Sequence, residues 1–166
     1  RSEDILLDGY LRKLKGVLVK APLFGHGTMV SGLVHLVAPR AQIMPMKAFD
    51  AAGNSTEWII TEAIYDAVDM GADVINMSFS STKRSQIIED AIKFADSKGV
   101  VLVGASGNDD SEVATYPASL EQVVAVTAVT AGDSKASFAN YGTYVDLSAP
   151  GVNMITTFRS EEHTSE

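Results

Sequence analysis

Residues Phe24 to Gly32 read FGHGTMVSG, which sets His26 between two glycines where an apolar helical run begins. A lone histidine is more often structural or exposed than catalytic, so its setting must carry the case. Glycine on each side lets a substrate or another backbone approach the imidazole closely. The positive end of a helix dipole disfavours imidazolium and favours the neutral ring that a general base needs. His26 is therefore a candidate proton acceptor.

A base needs a nucleophile and a stabiliser of developing charge. The stretch GASGND, Gly104 to Asp109, follows an apolar run and offers Asn108 in a glycine-flanked turn. Asparagine is common in turns because it tolerates left-handed backbone. Its amide N–H can equally serve an oxyanion. A phosphate-cradling loop is rejected, because GxGxxG, a Walker pattern and a downstream lysine are all missing.

These residues need a frame. The sequence predicts a strand at Ala41–Phe49, a turn at DAAGNS, and a helix from Thr56 to Met70 with Ile60, Ile64, Ala67 and Val68 on one face. Ser55 or Thr56 can cap it and Gly71 can end it. Further strands are expected at Asp73–Phe79, Val100–Ser106 and Val123–Val129, with a helix from Ser85 to Lys98 burying Ile88, Ala91, Ile92 and Ala95. Near-continuous apolar strands alternating with amphipathic helices define an α/β domain: a three-layer sandwich with a mostly parallel sheet and helices on both faces. Ligands in such sheets sit beyond the carboxyl ends of the strands, where MSFSS and ASGND fall.

The 166 residues suit one domain, and 46% hydrophobic with 20% charged content is ordinary for a soluble globular protein. No apolar run approaches the ~20 residues of a membrane span, and no signal peptide is visible. A net charge of -8 argues against nucleic acid as a partner. The chain has no cysteine, which excludes disulfides, thiolate metal sites and a thiol nucleophile. Met29, Met44, Met46, Met70, Met77 and Met154 read as core filler, and Trp58 as packing. His35 and His163 lack ligand-spaced partners, so no zinc site is expected. Asp109–Asp110 and Glu161–Glu162 read as solvated.

Taken together, GHGTMVSGLVHLVAP, DVINMSFS, VVLVGASGND, YPASLEQVVAVTAV and SFANYGTYVDLSAPGVNMITT resemble, in order, blocks of the subtilisin-like serine proteases, the subtilases. They run from about residue 24 to 157. The resemblance implies a serine endopeptidase that works through an Asp-His-Ser triad, with His26 as general base and Asn108 as side-chain oxyanion donor. It implies that Ser78, Phe79 and Ser80 form the segment on which extended substrate adds as a strand. Ala105, Ser106 and Gly107 would form the opposite wall of the first specificity pocket. Ser80 stands where the family has glycine. No cofactor is implied, although structural calcium is frequent in the family. Protein or peptide substrates and an exported location follow from the resemblance alone.

The family order is Asp, His, Ser. Asp8 in ILLDGY is the upstream candidate for the carboxylate; Asp4 is no better. Asp8 lacks the usual intervening Ser or Thr, and only 17 residues separate it from His26, so a turn aspartate is its default reading. No Gly-Thr-Ser nucleophile block occurs, and Ser106, Ser137 and Ser148 fall in blocks with other roles. Arg159–Glu166, RSEEHTSE, matches the translation of a common sequencing-library adapter and is set aside as non-native; without it the net charge is -6. Residues 1–158 are accordingly expected to be part of a subtilase catalytic domain, trimmed at both ends, and inactive and poorly folded when made alone. A catalytically dead homologue that binds extended peptides is the alternative, disfavoured because His26 and Asn108 are both intact. A nucleotide- or flavin-binding module is more distant still.

Overall fold

The computed structural model describes residues 25–50 and 52–157. Asp4, Asp8, the Arg159–Glu166 tail, His163 and the proposed domain boundary at 158 lie outside the described residues.

Helix α1 spans His26–Val37. Helix α2, Glu57–Asp69, starts at Thr56, whose side chain accepts from Ile59 N. It ends at Gly71, where φ of +84° suits glycine. Gly71 N donates to Val68 O, and Ala72 N to Ala67 O, so the last carbonyls are satisfied. Helix α3, Gln86–Ser97, ends in the same way at Gly99. Strands β1 (Val74–Met77), β2 (Val101–Ala105), β3 (Val123–Val129) and β4 (Leu147–Pro150) complete the frame.

The sheet order is β1-β2-β3-β4 and every pairing is parallel. The fold is thus α/β, as the alternation of strand and helix patterns predicts. Helices α2 and α3 pack against each other, and α3 lies against β2. Ile64, Met77, Ile92, Leu102 and Val123 form the buried centre, with Ala91 and Ala95 fully enclosed. The helical stripes read from sequence are the faces that pack.

The structure corrects several expectations. Ala41–Phe49 is not a strand. Pro45 removes a ladder donor there, and no described strand pairs with the segment. Strand β4 was not anticipated, because DLSAP has no apolar run; as the outer strand of the described sheet it can end on Pro150, which has no N–H to offer a neighbour. Trp58 is 69% exposed. It lies about 120° around the helix from the buried Ile64, off the packed stripe. Of the methionines only Met77 is buried, while Met70 and Met154 are exposed. Both lie outside the packed elements, Met70 just past α2 and Met154 in the chain after β4.

Candidate active site

His26 opens α1 as its first residue. Gly25 caps the helix at φ 83°, a left-handed conformation that glycine adopts freely. A Cβ on Gly27 would meet nothing within 4 Å, so the helix surface at that residue is open. The ring is half-buried, and its Nε2 is enclosed without a hydrogen-bond partner among the described residues. No described side chain or main-chain group occupies this nitrogen.

The first turns of α1 are tethered to the chain that follows β4. Thr156 Oγ1 donates to Met29 O at 2.5 Å, and Thr157 Oγ1 donates to Thr28 O at 2.9 Å. Gly32 makes this crossing possible, since a Cβ there would overlap both threonine hydroxyls. The chain that carries His26 is therefore tied to the chain leaving the carboxyl end of an outer strand of the described sheet.

Asn108 follows the end of β2 and is exposed. Its side-chain amide makes no hydrogen bond to a described residue, so its N–H groups are available. The turn that carries it is held firmly. Ser106 N donates to Val126 O at 3.0 Å, and Ser106 O accepts from Thr115 Oγ1 at 2.7 Å and Tyr144 Oη at 2.9 Å. Asp110, the second residue after Asn108, pairs with Lys135 at 2.5 Å. Sequence reasoning gave Tyr144, Thr115 and Asn140 no individual role; all three hold this turn.

The segments assigned to substrate binding leave adjacent strands. β1 and β2 pair Met77 with Gly104, so Ser78 and Ala105 come next in register. Ser81 bridges Tyr116 in antiparallel fashion, with N–H···O distances of 2.9 and 2.8 Å. Between Met77 and Ser81 the main chain of Phe79 and Ser80 bonds to none of the described residues. Ser78 and Ser80 are exposed, whereas the Phe79 ring turns inward against Phe49 at 5.2 Å between centroids. Ala105 is half-buried, while Ser106 and Gly107 are interior. Ser106 Oγ reaches Asn140 O at 3.5 Å.

A hollow of about 220 Å³ lies elsewhere, lined by Arg84, Glu89, Lys93, Tyr116 and Ser119 among others. Glu89 within it is fully engaged: the Arg84 guanidinium grips both carboxylate oxygens at 2.7 and 2.8 Å, and Lys93 Nζ lies at 2.8 Å. Hydrogen bonds from Lys93 and Arg84 hold the Glu89 carboxyl below its usual range. This hollow is structural scaffolding. Among the described residues no three His, Cys, Asp or Glu side chains converge.

The parallel α/β sheet thus carries a helix-opening histidine and an exposed asparagine beyond β2. Comparison with known proteins identifies the family. The family described as Subtilase family, peptidase S8, matches residues 20–166. A thermophilic serine proteinase of Bacillus sp. (strain AK1) is 39% identical over 151 residues, covering 85% of this chain and 38% of that protein. Minor extracellular protease Epr of Bacillus subtilis (strain 168) is 36% identical, covering 85% of this chain and 23% of its own length. The crystal structure of a cold adapted subtilisin-like serine proteinase superposes with a TM-score of 0.77 at 29% identity, over 82% of this chain and 52% of that one. The chain belongs to the subtilase family. It spans less than half the length of these two curated relatives.

Proposed function

We propose that this chain is the central part of a serine endopeptidase that hydrolyses protein or peptide substrates. The observation that carries the reading is the Nε2 of His26, on the first residue of α1, which has no hydrogen-bond partner among the described residues. In the triad mechanism this nitrogen takes the proton of the attacking serine and returns it to the leaving amine. Asn108 donates its free amide N–H to the oxyanion of the tetrahedral intermediate. Extended substrate adds along Phe79 and Ser80, whose main-chain groups no described residue uses, with Ala105 on the facing wall. Ser106 and Gly107 support that wall from inside. Ser80, with a Cβ where the family has glycine, narrows the approach.

The attacking hydroxyl is assigned to a segment of the parent protein outside these 166 residues, because no serine here occupies a nucleophile setting. The orienting carboxylate is assigned outside these residues too, since Asp8 reads by default as a turn aspartate. Export from the cell is proposed from the company of relatives such as the minor extracellular protease Epr. Nucleic acid is not an expected partner at a net charge of -8.

The test uses the full-length parent protein. It is expected to cleave an unfolded protein substrate and to be inactivated by an organophosphorus reagent that esterifies a reactive serine. Binding of extended peptide with neither cleavage nor labelling would replace the enzyme with the non-catalytic homologue.

A further inference from the structure

We infer that Asn140 is a positioning residue for the oxyanion turn, setting where the amide of Asn108 points. This inference rests on the oxyanion reading of Asn108. A turn beyond the end of a strand has no ladder to fix it, so its backbone groups need other partners. Asn140 supplies three of them. Its N–H donates to Gly107 O at 3.0 Å, and its Oδ1 accepts from Asp109 N at 2.8 Å and Ser111 N at 3.3 Å. Gly107 and Asp109 are the immediate neighbours of Asn108, so one residue grips the chain on both sides of the donor.

The grip is rigid. Asn140 is fully buried at 0% exposure, and its carbonyl accepts from Thr127 Oγ1 at 2.6 Å, which anchors it to β3. The amide orientation is fixed by its partners, because two N–H donors require the oxygen; turned over, the NH₂ group would face both. Gly107 is moulded to this side chain: φ is +107°, and a Cβ would collide with the Asn140 amide. Asn140 Nδ2 has no partner among the described residues although it is buried. An unpaired buried donor is costly, and an apolar residue of similar size would avoid that cost. What an apolar residue lacks is the acceptor that holds Asp109 and Ser111.

Function depends on this because an oxyanion donor must sit 2.7–3.1 Å from where the charge develops. A misplacement of about 1 Å costs on the order of 10²-fold in rate. The experiment is a double-mutant cycle in the full-length protein, with kcat and KM measured on a chromogenic peptide. Asn140→Leu is expected to lower kcat roughly 10- to 100-fold with KM changed less than about threefold. In the Asn108→Ala background the same substitution is expected to change kcat by less than about threefold, because the donor it positions is gone.

Equal losses in both backgrounds would overturn the inference while leaving the protease reading intact. If Asn140→Leu yields no folded protein, Asn140→Ser, too short to reach either N–H, is judged on the same cycle. An unsubstituted protein that cleaves nothing would overturn both readings together.

Discussion

Polar side chains divide here into those held fast and those that bond to no described residue. His26 Nε2 and the Asn108 amide bond to no described residue, whereas Glu89 is gripped by Arg84 and Lys93. Groups available for chemistry and groups committed to structure are thus distinguishable by their partners. The commitment of Glu89 has a pH signature. Its folded carboxyl lies below its ordinary value of 4.5, so the pair contributes stability above that pH. That contribution is lost as pH falls through the lowered folded value. Asp50 behaves alike, held down first by the Asn54 backbone N–H. Thermal melts of the full-length protein from pH 6 to about pH 3 are expected to show a falling limb that Glu89→Gln flattens. An unchanged limb in that variant would remove Glu89 from the account.

At the scale of elements, the position of His26 is set by how α1 docks. Gly32 allows Thr156 and Thr157 to cross the helix closely enough to bond Met29 O and Thr28 O. Gly32→Ala is therefore expected to cost about 1–3 kcal/mol through overpacking. It should also lower kcat, because the first turn carrying His26 shifts. Melting and peptide hydrolysis of the same variant check this; a full-rate enzyme with lowered stability would separate docking from catalysis. Nothing in GHGTMVSG announces this role, since the partners lie more than a hundred residues away. The amphipathic helices were legible because Ile64, Ala67, Ala91 and Ile92 repeat at helical spacing and pack through that face. Residues 41–49 and β4 were not, because strand pairing depends on neighbours distant in sequence. Asn140 was invisible for the same reason: its bonds to Asp109 and Ser111 span 31 and 29 residues.

Over the whole molecule, the parallel sheet gathers its polar loops at one edge. The chain leaving β1 brings Ser78–Ser80, the chain leaving β2 brings Asn108, and the chain leaving β3 returns with Asn140 to brace it. The chain after β4 reaches α1 through Thr156 and Thr157. Sequence showed the blocks in order; the fold shows that successive strands deliver them to neighbouring positions. At the opposite edge Val74 and Val101 are register partners, 58% and 50% exposed. Leu36 and Val37 of α1 are exposed as well.

The most direct measurement is kcat/KM for peptide hydrolysis by the full-length protein with and without His26→Ala. Proton transfer through His26 predicts a loss on the order of 10⁶-fold, the scale known for the triad histidine of subtilisin, a relative of this chain. A variant within tenfold of the unsubstituted protein would contradict it.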